Sequence, residues 1–339
     1  MGTLKGSWQP FGGSPLGVVV DVFQGYHLVD GRIFVAIAEG RGDDGGPTTA
    51  ASEREFVAPG PIAFGGSDAT VIPQGLIDGT SFEGALLALA LHSDHEQAVL
   101  GTAVIVAPGL AVTATHVFRD RLDEILAGTV RPLCVGPASA GLDLWHVLKV
   151  SCYESDDIAF LSLQLASPVT PNWRFRTIAV TTREPRPGET VTIVGFHMPT
   201  MKRDSEDGFC MFGNLYAAAG SVTNAFFPMR DKVLMPYPVI EISCGSLGGM
   251  SGGAVLDARG YLLGVTSRGL QTEDQAGPSF ASWIVGGLNR RLEIPWPPGV
   301  YGQPTHLLEI DDRALSIEGR EHIRTLDENS HRYKRWSDK

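Results

Sequence analysis

The chain has 339 residues, 43% of them apolar, with 41 glycines and 22 prolines. That is enough apolar material for a packed core, which excludes wholesale disorder, and the glycine and proline content favours short strands and tight turns over a helical bundle. With 27 basic against 38 acidic residues the net charge is −11, which argues against a nucleic-acid partner, and no apolar run reaches the ~20 residues of a membrane span.

Residues 17–38, GVVVDVFQGYHLVDGRIFVAIA, place two β-branched and aromatic runs around Asp30-Gly31. Asp-Gly tolerates positive φ, so a β-hairpin is expected. An isolated hairpin is marginal in water, so it should pack on the body of the protein or on a partner. The apolar run LGVVV stops at Asp21, too short for a secretory h-region, and a cytoplasmic location is expected. Residues 39–61 are rich in Gly, Pro, Ser and Thr and are expected to form a linker.

From Phe82 the texture changes. Apolar runs recur at 85–91, 99–107, 110–114, 130–135, 145–150 and 158–163, separated by turn residues. Residues 166–188 are Pro- and Arg-rich with little periodicity. A second series follows at 190–196, 214–222, 233–243, 253–257 and 261–267. Two antiparallel all-β units are expected. Residues 279–292 are long enough for a closing helix, which Gly286-Gly287 would weaken and PWPPG at 295–299 would stop. The tail from Tyr301 mixes both charges and could hold one short amphipathic helix. The expected organisation is an N-terminal extension (1–81), a first barrel (82–165), a crossing (166–188), a second barrel with closing helix (189–293) and a charged tail (294–339).

Cys134, Cys152, Cys210 and Cys244 are spaced by 18, 58 and 34 residues. They contain no CxxC and fit no zinc pattern. Free buried thiols are expected, with no metal and no cofactor. There is no HExxH, and the glycine block lacks the lysine of a phosphate loop.

Three short blocks can carry chemistry. GSLGGMSGGAV (245–255) surrounds Ser251 with glycines. A nucleophilic serine needs small neighbours and backbone N–H groups aimed at a developing oxyanion. Serine also needs a base, and VTATHVF (112–118) supplies His116 just after a small-residue strand end. SDDIAFLSL (155–163) supplies Asp157 immediately before an apolar strand. His116 and Asp157 fall in the first strand series and Ser251 in the second.

TATH, DDIAFL and GMSGGAV together resemble the signature blocks of the chymotrypsin-like serine peptidases, closer to the bacterial trypsin-like branch than to digestive enzymes. The resemblance covers residues 82–292. The order His, Asp, Ser with gaps of 41 and 94 is similar to that family's gaps of about 45 and 93. It implies two six-stranded β-barrels with the site in the cleft between them. It implies His116 as general base and acid, Asp157 rather than Asp156 as its orienting group, Ser251 as nucleophile, and the Gly249 and Ser251 amides as oxyanion hole. Substrate binding would fall to Gly245, Ser246, Ser267, Arg268 and Gly269, with Ser267 equally suited to a hydrogen bond on the triad carboxylate.

Digestive members carry an aspartate immediately before the nucleophile, where this chain has Met250, so activation through an N-terminal ion pair is not expected. The implied partners are a protein or peptide substrate, and a regulatory protein acting through either terminal extension. A catalytically inactive binding protein on the same fold is the alternative.

Overall fold

In a computed structural model, the described residues are 82–292, apart from 94–96, 139–140, 167–175, 204–208 and 272–275, together with 305–312, 314–327 and 332–335. On the N-terminal side they are 4–8, 22–29, 32–39, 52–55 and 75–77.

Two closed barrels dominate. The first is built from β1 (Leu86–His92), β2 (Gln97–Ala107), β3 (Leu110–Thr113), β4 (Arg131–Ala138), β5 (Gly141–Tyr153) and β6 (Ile158–Leu165). The second uses β7 (Thr190–Arg203), β8 (Phe209–Phe226), β9 (Val239–Ile242), β10 (Ala254–Asp257), β11 (Leu262–Gln271) and β12 (Ala276–Trp283). The strands of the first close in the spatial order β1-β2-β3-β6-β5-β4, and those of the second in the order β7-β8-β9-β12-β11-β10. Each barrel therefore repeats one connectivity, first-second-third-sixth-fifth-fourth. Closure removes the free edges that a flat sheet would expose.

Both faces of β1 and β6 find apolar neighbours. β1 is buried along Leu86–Leu91 and β6 along Ile158–Leu163. Phe118, Trp145 and Phe160 fill the first barrel, while Ile193, Ile240, Ile242, Met250 and Val255 form a separate cluster in the second. Met250 is fully buried there, so an apolar side chain stands where an ion-pairing carboxylate would be needed.

The chain departs from the sequence expectations in several places. Residues 276–283 are strand, and the closing helix spans only Ile284–Leu288. Cross-strand pairing of Ser279–Ser282 with both β9 and β11 overrides helical propensity. The two glycines that weakened the helix have a packing reason. A side chain on Gly286 would run into the Asp156 carboxylate, and one on Gly287 would meet Ile158 at 2.8 Å.

The tail departs as well. Leu307, Ile310, Ala314 and Ile317 recur at helical spacing, yet the described residues there form only short turns, at Leu307–Glu309, after Asp311 and at Arg320–His322. Ile317–Glu318 instead adds in parallel to Val180–Thr181 at the sheet margin. Leu307, Ile310, Ala314 and Leu315 are buried in the core, and Arg259 ties Glu318 to Asp257. An available strand edge and apolar burial outweigh local periodicity.

On the N-terminal side, Val22–Val29 pairs with Arg32–Glu39 as a hairpin. Its turn at Asp30-Gly31 and residues 17–21 lie outside the described residues. The expected linker contains a third strand, Ser52–Glu55, which pairs with Phe34–Ile37. The rest of 40–61 lies outside the described residues. Leu4–Trp8 and Gly75–Ile77 both pair with β8 of the second barrel. Among the described residues no helix is long and apolar enough to cross a membrane.

Candidate active site

His116, Asp157 and Ser251 sit on loops leaving β3, entering β6 and entering β10. His116 lies in a tight turn, Thr115–Arg121, that begins two residues after β3. Its backbone N–H donates to Asp157 Oδ1 at 2.9 Å, and Nδ1 lies 3.2 Å from Oδ1 and 3.0 Å from Oδ2. An ionised carboxylate only accepts, so Nδ1 carries the hydrogen and Nε2 is left as the acceptor. The imidazole is partly exposed, with 18% of the side chain accessible.

Asp157 is almost fully buried and holds a φ of 50°, a conformation that costs a non-glycine residue of order 1–3 kcal/mol. The strain is offset by partners from both barrels. The Asp157 carbonyl accepts from Thr115 N–H at 3.3 Å. Its Oδ2 accepts from Ser267 Oγ at 2.6 Å and from Ser282 Oγ at 3.5 Å, both from the second barrel. Ser267 spends its hydrogen on the carboxylate, so the Tyr237 hydroxyl 2.9 Å away must donate to Ser267. Burial pushes the Asp157 carboxyl upward, but the hydrogen bonds and charge of His116 and the bond from Ser267 outweigh it and hold it below the ordinary carboxylate range. Burial, with Asp157 nearby, raises the Tyr237 phenol, which keeps it a donor.

Asp156 faces away from the imidazole. Its Oδ2 accepts from Arg290 Nε at 3.0 Å and from the Arg290 guanidinium again at 2.6 Å. It joins the first barrel to the end of the Ile284–Leu288 helix. Of the two neighbouring aspartates, it is Asp157 that meets His116.

Ser251 follows Gly249 at φ 91° and precedes Gly252 at φ 81°, values that an ordinary side chain would resist. A side chain on Gly252 would collide with Thr113 Oγ1 and the Thr102 carbonyl. Glycine there lets the turn press against β2 and β3, two residues from the start of the His116 segment. Three peptides of the turn are held. Met250 N–H donates to the Leu247 carbonyl at 3.1 Å, Gly252 N–H to Thr266 at 2.7 Å and Gly253 N–H to Met250 at 2.9 Å. Among the described residues the Gly249 and Ser251 N–H groups have no acceptor, and no hydrogen bond joins Ser251 Oγ to His116 Nε2. Two unpaired amides beside a hydroxyl can receive an anionic oxygen.

The expected substrate-binding residues divide. A side chain on Gly269 would meet Ser246 Oγ at 2.7 Å, so these two positions form one tight wall beside half-buried Gly245. Ser267 is committed to Asp157. Arg268 is half-buried on β11, where its charge is felt by the Tyr237 phenol. Tyr237, Ser282 and Thr102 were missed at the sequence level, since each acts through a contact distant along the chain. The Thr113 hydroxyl, which binds the Thr102 carbonyl at 2.7 Å, lies inside the VTATH block. Cys134, Cys152 and Cys244 are free thiols, with burial raising Cys152 and Cys244 to about 11, which leaves them protonated and unreactive. The Cys210 side chain lies outside the described residues. Among the described residues no cluster could hold a metal ion.

Residues 101–265 match the trypsin-like peptidase domain. No curated protein matches the chain. Several solved structures are similar. The active form of the Rv3671c protease from M. tuberculosis is 20% identical, with a TM-score of 0.44 and coverage of 75% of this chain and 98% of that one. The inactive form of the Rv3671c protease is 18% identical, with a TM-score of 0.39 and coverage of 61% and 88%. Deg5 is 16% identical, with a TM-score of 0.40 and coverage of 60% and 85%.

Proposed function

We propose that the chain, whose residues 101–265 match the trypsin-like peptidase domain, cleaves peptide bonds through Ser251, His116 and Asp157. His116 Nε2 takes the Ser251 proton as Oγ attacks the scissile carbonyl. The carbonyl oxygen becomes an oxyanion, stabilised by the Gly249 and Ser251 amides. His116 then hands its proton to the leaving amine, which breaks the C–N bond and leaves an acyl-serine. Water, deprotonated by His116, releases the acid and restores the serine. Asp157 holds the imidazole tautomer and stabilises the imidazolium.

The observation that carries this reading is the buried Asp157 carboxylate, bonded to His116 on one side and to Ser267 on the other. Labelling with a fluorophosphonate probe tests it. Modification of Ser251, located by mass spectrometry, supports the reading. An unlabelled, correctly folded protein would favour the inert binding protein instead.

The pH dependence follows from Asp157. Its carboxyl is held below the ordinary range, so it stays ionised across pH 5–8 and adds no proton step of its own to the rate there. A single general base implies that log kcat/KM climbs with unit slope as the pH rises and then levels off. A slope of two in log kcat/KM against pH would mean that Asp157 is not ionised as described. EDTA should leave the rate unchanged.

Gly245, Ser246 and Gly269, the residues proposed to line the primary pocket, themselves carry no carboxylate to pair with a substrate cation, and an unpaired buried charge is costly. Cleavage after an uncharged, apolar residue is expected, with Arg268 favouring acidic residues further upstream. A peptide-library profile checks this. Dominant cutting after Lys or Arg would overturn this pocket assignment. The terminal extensions are proposed to gate the peptidase, which the pairing of Leu4–Trp8 and Gly75–Ile77 with β8 supports. The same library assay on full-length and 82–339 chains measures that effect, and equal rates would remove the gating role.

A further inference from the structure

We infer that Thr102 is a positioning residue for the oxyanion loop, holding from the first barrel the carbonyls of the two residues whose N–H groups would receive the oxyanion. This rests on the reading of Ser251 as nucleophile and extends it to a residue that contacts no substrate.

Thr102 lies fully buried on β2, opposite the glycine turn. Its backbone N–H donates to the Ser251 carbonyl at 2.8 Å. Its hydroxyl donates to the Gly249 carbonyl at 2.9 Å and accepts from Phe196 N–H at 3.0 Å. A hydroxyl has one hydrogen, and an amide only donates, so the direction of each bond is fixed. The Phe196 amide occupies a lone pair and leaves the hydrogen free to point at Gly249.

Gly249 is where such a constraint matters. A glycine at φ 91° has other conformations open to it at little cost, and each would redirect the neighbouring amides. The Gly249–Met250 peptide is held at both ends, its carbonyl by Thr102 and its N–H by Leu247. The Ser251–Gly252 peptide is held in the same way, its carbonyl by Thr102 and its N–H by Thr266. The Gly249 and Ser251 amides stay unpaired between these anchors. Thr102 itself is fixed by Thr113, whose hydroxyl binds the Thr102 carbonyl at 2.7 Å, and a side chain on Gly195 would meet Thr102 Oγ1 at 3.2 Å. The hole in the second barrel is thus set by a side chain of the first, so its geometry depends on how the barrels are docked.

Preorganised donors act on the transition state more than on the bound substrate. Thr102→Val keeps the shape and the backbone bond and removes the hydroxyl. It should lower kcat about 10–100-fold with KM changed less than about threefold, since removal of a hole donor itself costs about 10²–10³. The affinity of a peptide boronate, which presents a tetrahedral anion, should fall by the same factor as kcat/KM. Thr102→Ser restores the hydroxyl and should return kcat to within about fivefold of wild type. Rates are normalised to the folded fraction from near-UV circular dichroism. If Thr102→Val does not fold, Thr102→Ala provides the same comparison. A residue that only stitched the barrels together would lower thermal stability but leave kcat per folded molecule and boronate affinity in place, and that result overturns the inference. So does a Ser variant as impaired as the Val variant. Wild-type protein that no fluorophosphonate labels would instead overturn the reading of Ser251, before any Thr102 variant is compared.

Discussion

Ser251→Ala is expected to lower kcat/KM by about 10⁴–10⁶-fold, and His116→Ala by a similar factor, with the double variant no worse than either single one. The two residues act as a unit. Serine without a base is a poor nucleophile near neutral pH, and an imidazole without the serine has no oxygen to activate. The residual rate should stay above that of uncatalysed hydrolysis, because the Gly249 and Ser251 amides still stabilise the oxyanion. Ser251→Ala makes a small change to a partly exposed side chain, and the backbone bond from Thr102 to the residue 251 carbonyl survives it. Stability should therefore move by less than about 1 kcal/mol. Steady-state kinetics, with circular dichroism as a control for folding, checks both parts. Additive losses would show that the two side chains do not cooperate, and Ser251 would then need another base.

The three site blocks were legible because each is local. Glycines at 249, 252 and 253 must lie beside the serine: positive φ is needed at the first two, and neighbouring atoms fill the space a side chain would need at the last two. The choice of Asp157 over Asp156 was legible for a related reason, because the residue directly before β6 is carried toward His116 while its neighbour turns outward to Arg290. Residues that support the site from far along the chain left no pattern. Thr102 is one threonine in an apolar run, and its role depends on a carbonyl 147 residues away. Tyr237 sits in the 233–243 stretch expected as strand, but only Val239–Ile242 forms one. Pro236 and Pro238 cannot donate to a ladder, and Asp231 accepts from the Val233 and Leu234 amides to make a turn instead. That irregular segment brings Tyr237 to Ser267. The C-terminal segment misled for a different reason, since its helical spacing was real and a vacant sheet edge overrode it.

Asp157→Asn should cost about 10⁴-fold in kcat near neutral pH, while Asp156→Asn should cost less than about tenfold. Asparagine keeps the size and most of the geometry of aspartate, so the large loss has a chemical origin. The new side-chain amide would turn an N–H toward Nδ1 or leave only one acceptor for Nδ1–H, the His116 backbone amide and Ser267, which now share the carboxylate. With N–H facing it, Nδ1 loses its hydrogen, Nε2 gains one, and the imidazole can no longer accept the Ser251 proton. The negative charge that stabilises the imidazolium is lost as well. Raising the pH should recover part of the rate as hydroxide replaces the missing base. Asp156→Asn instead weakens an ion pair whose partner Arg290 is only about one-fifth exposed. It keeps an oxygen acceptor for the guanidinium and leaves His116 untouched, so the loss should fall on barrel docking and thermal stability. Parallel pH–rate profiles of the two variants decide the assignment. If Asp156→Asn were the crippling change and Asp157→Asn left the rate near normal, the orienting carboxylate would be Asp156, and the contacts between Asp157 and His116 would have no catalytic role.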